Sequence, residues 1–412
     1  MNNIIKLSYR NLLRNGRRTL LTASLITLGV IFVLIYTALS GSFKGYMVGQ
    51  ITDSMMGHIQ IHKKGYVAAV DNLPLDRNLP KMALEFIEPK IKENPLVESY
   101  SYRIKFGAMF SNFESTTNIR LNAIYPEAEF KTLPDLKKRI TGMEDELKAG
   151  GIVIPELLAK GMKVKVGDTI VLVANNKSGS VNGVNLKVAG IVGQMSGPGG
   201  RDGYIHMDDA KKVLRMGLEV EVSEIVVRLK DVETLKEGMA SLDSILEKKN
   251  KEGQSAFEVH SWEQLSPFYN IIKMIDIMNL SIKIILISIV LISILNVMIM
   301  SVFERVREIG TIAAMGTPPL TIVKLFLTEG LMLGVLGAIL GSALSVGILY
   351  VLNIVKITYS FGKETGLVLS PVLHVNEVMG VSLIVIAIAL VASISPAIKA
   401  ARLDPVEALR SH

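Results

Sequence analysis

The chain has 412 residues, 49% hydrophobic and 20% charged, with a net charge of +7 and a mean hydropathy of +0.39, which is too apolar for an ordinary soluble domain of this size. It has no cysteine, which excludes disulfides, thiol–metal sites and cysteine lipidation. The basic excess sits in short flanks of apolar runs, not in one stripe, which argues against a nucleic-acid surface.

Residues 1–18 predict a cytoplasmic interfacial helix. Ile4, Ile5, Leu7, Leu12 and Leu13 supply apolar contacts, and Arg10, Arg14, Arg17 and Arg18 recur at helical spacing. That pattern suits anionic headgroups and equally serves as a topology signal. The first span is placed at 19–41, where Leu20–Leu39 carries no charge. Its basic front resembles a signal peptide. The run is too long, and no small-x-small site precedes Phe43, so an uncleaved anchor is expected.

Residues 42–270 predict an extracytoplasmic α+β domain. After a helical exit at Phe43–Met55, Gly57–His62 alternates like a strand. Pro80–Glu93 has helical spacing. Val97–Phe106 and Asn118–Ile124 read as strands. Gly151–Pro155, Asp168–Ala174 and Asn185–Val192 are short strands between Gly and Asn turns. Tyr204–Met207 is another strand, with Asp208 capping a helix at Asp209–Met216. Val222–Leu229 is a strand, Asp231–Lys249 an amphipathic helix and Phe257–His260 a final strand. A helix opened by Ser261 is expected to run unbroken into the membrane. The change of character at about 126–217 suggests an inserted β-rich lobe, and a single domain is the alternative.

The remaining segments are a second span with stalk at 271–303, a cytoplasmic helix and loop at 304–323, and a third span at 324–353. An outer loop at 354–376, a fourth span at 377–397 and a cytoplasmic tail at 398–412 complete the chain. Each apolar run is near the ~20 residues that cross a bilayer. Lys6, Arg10, Arg14, Arg17 and Arg18, then Arg305, Arg307 and Lys324, then Lys399, Arg402 and Arg410 flank the spans on one side. The positive-inside rule makes that side cytoplasmic, with both termini inside.

No catalytic constellation stands out. There is no G-x-x-x-x-G-K-[ST] loop, Gly-x-Ser-x-Gly elbow or His-Glu-x-x-His helix. The glycine-rich run 197–203 lacks the Lys-Ser/Thr pair and reads as a loop. His58 and His62 alternate on a strand and read as exposed histidines, not metal ligands. Glu329 sits near the cytoplasmic end of the third span, where snorkelling or helix packing is expected rather than a proton relay. Gly330, Gly334, Gly337 and Gly341 form two Gly-x-x-x-Gly pairs, a packing signal within or between chains. The spans are poor in polar residues, which argues against a polar solute path.

The segment between the second and third spans is the strongest lead. Glu304, Arg305, Arg307 and Glu308 start a helix whose apolar stripe is Ile309, Ile312 and Met315. Gly316 ends it, and Pro318-Pro319 prevents continuation. An apolar face with a charged flank suits insertion into a partner's groove, or a connector lying on the membrane.

Glu304-Arg-Val-Arg-Glu-Ile-Gly310, Ala314-Met-Gly316 and Leu325-Phe-Leu-Thr-Glu-Gly330 together resemble FtsX/MacB-type ABC transporter permeases. Pro396–Arg410 resembles their C-terminal signature. Tyr9–Asn15 and Gly57–Ile61 are similar to the lipoprotein-releasing (LolC/LolE-type) group. The resemblance implies four transmembrane helices plus a large α+β extracytoplasmic domain, a porter-like lobe carrying an inserted β-rich lobe. It implies a second permease copy or paralogue and a pair of ABC ATPase subunits, seated on 304–316. ATP and magnesium would be bound by that separate ATPase; no cofactor or metal is expected in this chain, which is read as not itself an enzyme and without a fused ATPase. The leading expectation is extraction of lipoproteins from the outer leaflet of the inner membrane for a periplasmic carrier or adaptor. Val33, Tyr36, Leu39, Phe43, Met47, Met274, Met278 and Ile282 would line a lipid-facing acyl cavity. The alternatives are MacB-like tripartite efflux of peptides or drugs, and FtsX-like mechanical activation of an external partner.

Overall fold

The computed structural model describes residues 2–14, 16–143, 146–193, 202–217, 220–246, 256–361, 364–368, 370–404, 406 and 408. Expectations for the loop at 197–201, for the end of the helix at Lys249, and for Asn15 and Arg410 fall outside them. Two compact units form. One comprises Met1–Gly45, Ile271–Tyr359 and Gly366–His412, the other Tyr46–Asn270 and Ser360–Thr365.

In the first unit, a short helix, Asn2–Arg14, precedes four long apolar helices among the described residues: Gly16–Ile51, Tyr269–Glu304, Pro319–Val355 and Val375–Ala401. Much of their surface is apolar and exposed, as at Leu25, Phe32, Ile285, Ile289, Leu340 and Leu383, which suits lipid contact. Ile26, Val30, Leu34, Val290, Ile294, Met298, Leu333 and Ala389 form the buried seam.

Among the described residues, the large sheet of the second unit has ten strands: β1 (Ile59–Lys63), β2 (Val97–Ser111), β3 (Thr116–Ile124), β4 (Ile140–Thr141), β5 (Gly151–Pro155), β6 (Thr169–Asn175), β7 (Val181–Val192), β8 (Asp202–His206), β9 (Glu224–Leu229) and β10 (Phe257–Ser261). One half has the order β10-β1-β9-β2, all antiparallel. With helices Lys81–Glu93 and Leu235–Ile245 as crossovers, this is the βαββαβ arrangement of ferredoxin-like folds. In the other half β2, β3, β8, β5, β7 and β6 pair in sequence, and β6 returns to β2, closing a barrel.

The long strand β2 belongs to both halves. Its first part, Val97–Arg103, pairs with β9, and Arg103–Ser111 pairs with β3. The burial parity switches at that junction. Ser99, Ser101 and Arg103 are buried before it, and Ile104, Phe106, Ala108 and Phe110 after it. The β-rich region is therefore not a free-standing insertion at 126–217. Its barrel needs β2 and β3, which precede that range, so hydrogen bonding carries the boundary back into the first half.

Other local expectations change as well. The helix opened by Ser261 stops at Leu265, where Ser266-Pro267 breaks it before the second span begins at Tyr269. Ser261 and Gln264 form its capping box. The helix after β8 begins at Met207 and is capped by His206, whose side chain accepts from the Asp208 N–H, so Asp208 is inside the helix. The outer loop contains a two-stranded hairpin, Thr358–Phe361 and Glu364–Val368.

Candidate functional site

The cytoplasmic corner between the second and third spans is held by a buried ion pair. The second span ends at Glu304, and Arg305 leaves the helix at φ −113° and ψ 17°. A new helix, Val306–Ala314, follows at once. Gly316 then adopts φ +86°, a left-handed conformation that glycine reaches without penalty, and Pro319 starts the third span. The break turns Arg305 inward. Its Nη1 lies 3.1 Å from Glu329 Oε1, and both residues are buried. Asn11 of the N-terminal helix donates from Nδ2 to the same carboxylate oxygen at 2.9 Å, while Arg305 Nη2 donates to the Asn11 carbonyl at 3.3 Å. Ser8 donates to the Leu325 carbonyl at 3.3 Å. One carboxylate thus ties three segments together.

Desolvating such a pair consumes much of its attraction, so its value lies more in fixing geometry than in stability. Outside it, Arg14 pairs with Glu308, an exposed contact of little energetic weight.

This geometry redistributes the predicted docking residues. Arg305 is buried and engaged within the chain, so it is not part of an outward face. Ile309 is also buried, in the cluster with Leu12, Val302 and Ala397. A Cβ on Gly310 would lie 2.6 Å from that of Ala408, so this face of the helix is closed against the tail. Glu304, Arg307 and Glu308 are exposed, Ile312 is half-buried, and Met315 is 73% exposed. The outward face therefore runs Arg307, Glu308, Thr311, Ala314, Met315. Sequence reasoning missed Ser8 and Asn11. The signal was available in Ser8, Asn11 and Leu12, which share a helical face at i, i+3 and i+4 spacing, whereas Ile5, Leu7 and Leu13 are exposed.

The glycines of the third span pack within the chain. Gly330 and Gly334 lie against Ser393 and Ala389 of the fourth span, and Gly337 and Gly341 against Ile26 and Val30 of the first. A Cβ at Gly334 would stand 2.6 Å from Ala389 Cβ, and one at Gly341 2.6 Å from Val30 Cβ. The buried hydroxyls of Thr37, Ser345 and Ser393 donate to carbonyls of their own helices. They offer no polar row for a solute.

The predicted acyl-cavity residues do not share one surface. Val33 is buried within the bundle. Tyr36, Leu39, Phe43, Met47 and Ile282 are half-buried, and Met274 and Met278 exposed. Tyr36 Oη donates to Asn279 Oδ1 at 2.7 Å, and Lys44 Nζ lies 2.8 Å from Asp276 Oδ1. These contacts pin the first and second spans together at the level of the expected cavity residues.

In the extracytoplasmic unit, the two histidines read as exposed are both buried. His58 Nδ1 accepts the Leu229 N–H at 3.0 Å. Burial, reinforced by Arg228, lowers its pKa to about 4, so it is neutral near pH 7. His62 stacks on Tyr66 and lies 3.5 Å from Glu224. Burial would raise the Glu224 pKa, but Lys105, His62 and Arg103 hold it far below the carboxylate range. Arg103 bridges Glu224 and Glu129 and donates to the Met55 carbonyl at 2.7 Å. That carbonyl belongs to a π-helical turn, Thr52–Met56, which continues the first-span helix. Gly57 then turns into the sheet at φ +68°, where a Cβ would strike Val226. Among the described residues, no group of three or more His, Cys, Asp or Glu side chains could hold a metal.

Four helices long and apolar enough to span a membrane among the described residues, with a sheet-and-barrel domain in the long outer segment, define a polytopic membrane protein. The chain belongs to the MacB-like, FtsX-type family of ABC transporter permeases: the MacB-like periplasmic core domain matches residues 19–245, and the FtsX-like permease C-terminal region matches residues 280–405. It is a multi-pass inner-membrane protein with a large extracytoplasmic domain. It is 23% identical over 354 residues to the lipoprotein-releasing system transmembrane protein LolE of Haemophilus influenzae, covering 79% of this chain and 80% of that protein. It is 24% identical over 432 aligned positions to a probable export ATP-binding/permease protein MacB of Pseudomonas entomophila, covering 98% of this chain and 58% of that protein. The chain thus spans little more than half of the MacB-type relative. The periplasmic region of MacB from Actinobacillus actinomycetemcomitans aligns with a TM-score of 0.35 at 13% identity, covering 53% of this chain and 92% of that one.

Proposed function

We propose that this protein is the permease half of an ABC exporter, in which an ATPase docks on the outward face of 304–316 and drives motion of the extracytoplasmic domain. The observation that carries this reading is the Arg305–Glu329–Asn11 lock. It makes the docking helix, the third span and the N-terminal helix one mechanical piece, so a push on Met315 reaches the bundle instead of bending a loop. The partner is an ABC ATPase pair that binds ATP and magnesium, with a second permease copy or paralogue completing the assembly. The buried hydroxyls of Thr37, Ser345 and Ser393 donate to their own helices' backbones, which supports handling of substrate outside the bilayer or at its outer leaflet.

For cargo, the MacB-like reading takes precedence over lipoprotein release. The MacB protein of Pseudomonas entomophila matches 98% of this chain, and the pyoverdine export protein PvdT of Pseudomonas fluorescens matches 99%. Lipoprotein extraction remains the second reading, favoured by the coverage of 80% of LolE. The test is mass spectrometry of material that co-purifies with the nucleotide-free permease–ATPase complex and leaves on ATP addition. A peptide or small amphiphile, with an adaptor bound, supports export. Acylated lipoprotein overturns that cargo in favour of release. ATP hydrolysis unaffected by the permease overturns both.

A further inference from the structure

Below the barrel, one face of three adjacent strands is polar where a core would ordinarily be apolar. Lys105 of β2 stands opposite Asn122 of β3, which stands opposite Tyr204 of β8. In the next row Arg120 of β3 stands opposite Asp202 of β8. The π-helical turn Thr52–Met56 and the elbow Leu265–Phe268 cover this face and leave a cavity of about 320 Å³. Within its wall, the Ser54 hydroxyl and the Asn122 amide oxygen are fully buried and have no hydrogen-bond partner. Buried polar atoms are almost always satisfied, and polar cavities of this size hold polar occupants.

The chemistry of the occupant follows from the groups that face it. Arg103, Lys105, Arg120 and Arg139 line the cavity with Asp71 and Asp202, while Glu129 and Glu224 stand behind Arg103 and Lys105. Arg103 is engaged by those glutamates and the Met55 carbonyl, and Arg139 donates to the Gly193 carbonyl at 2.6 Å. Lys105 has three donors and one acceptor at 2.8 Å, Glu224 Oε2. Arg120 is 3.7 Å from Asp202, too long for a hydrogen bond, and its side chain is half-exposed at the mouth. Ser54 can donate, and Asn122 Nδ2 donates to Asp202 at 3.4 Å, leaving its own oxygen and Glu129 Oε2 as unpaired acceptors. The spare donors that face the cavity are Lys105, Arg120 and Ser54.

We propose that this cavity binds an oxyanion of phosphate type, between the end of the first-span helix and the polar face of β2, β3 and β8. Bound there, the anion would touch both the turn leaving the membrane helix and the elbow leading to the next one. This assignment is independent of the cargo and of ATPase docking. The phosphate can arrive free or as a lipid headgroup.

The test uses the full-length protein in neutral detergent. Trp262, the sole tryptophan, lies three residues from the elbow and reports on it. Inorganic phosphate is titrated against Trp262 fluorescence in the unmodified protein, in Arg120→Ala and in Asn122→Leu, with equal circular-dichroism melting required of each variant used. Arg120→Ala removes a half-exposed side chain and serves if Asn122→Leu does not fold. A saturable response weakened at least tenfold in the variants supports the site with free phosphate as ligand. No phosphate response, but a phospholipid retained in native mass spectra and lost in Arg120→Ala, supports it with a headgroup as ligand. Neither signal, or signals unchanged in the variants, overturns it.

Discussion

Arg305 and Glu329 are 24 residues apart and sit on opposite sides of a turn, yet their side chains meet at 3.1 Å in the buried cytoplasmic corner. The charge that looked like a docking flank is a fastener, and Glu329, for which snorkelling or helix packing was expected, is its buried counterpart.

The first prediction concerns that fastener. Glu329→Ala removes the carboxylate that pairs with the buried Arg305 guanidinium, a change expected to cost about 3–5 kcal/mol. Thermal unfolding in detergent should show the loss. The exchange Arg305→Glu with Glu329→Arg should recover part of it, together with permease-stimulated ATP hydrolysis. A double variant no better than the single ones would remove the pair from the account.

The glycine seam makes a second case. Gly334→Ala and Gly341→Ala each place a methyl 2.6 Å from a neighbouring side-chain carbon of another span. Overpacking of this kind costs about 1–3 kcal/mol. Gly347→Ala meets nothing within 4 Å and should be neutral. Melting temperatures of the three variants check this directly, and equal values would show that the spans are not packed through this seam.

His58 sets a pH dependence. Its pKa is about 4 in the folded protein against an ordinary histidine value of 6.5, so the unfolded chain binds the proton more tightly. Stability from this group is present above pH 6.5 and is lost as the pH falls towards 4. The total is about 3 kcal/mol. Denaturant unfolding between pH 7.5 and 4.5 should show this slope in the unmodified protein and a smaller one in His58→Gln, whose amide oxygen can accept the Leu229 N–H. Identical slopes would contradict a neutral, buried His58.

The spans, the glycine stop at Gly316 and most strands were legible in the sequence because each rests on local pattern: an uncharged run, a left-handed cap, a period of two. Where long-range contacts decide, the pattern misleads. Ser99, Ser101 and Arg103 look like the wet face of β2, but the helix Pro126–Thr132 covers them, with Ser99 donating to the Lys131 carbonyl and Arg103 to Glu129. His58 alternates like a surface residue and is buried by β9. Arg305 sits in a charged helix start, and only the non-helical φ and ψ at that residue reveal that its side chain turns inward. The acyl-cavity residues were placed by membrane depth alone, which carries no information about the contact between Tyr36 and Asn279.

The outward face of residues 304–316 is the central claim, and the absence of native cysteine makes it directly testable. In membranes containing the permease and its ABC ATPase, a single cysteine replacing Met315 should cross-link to the ATPase through a short bifunctional reagent, with a yield that changes on ATP binding. Ile309→Cys, on the buried face, should not. Absence of cross-linking from Met315→Cys and from Arg307→Cys, in a complex that hydrolyses ATP normally, would contradict the assignment of this helix as the docking element.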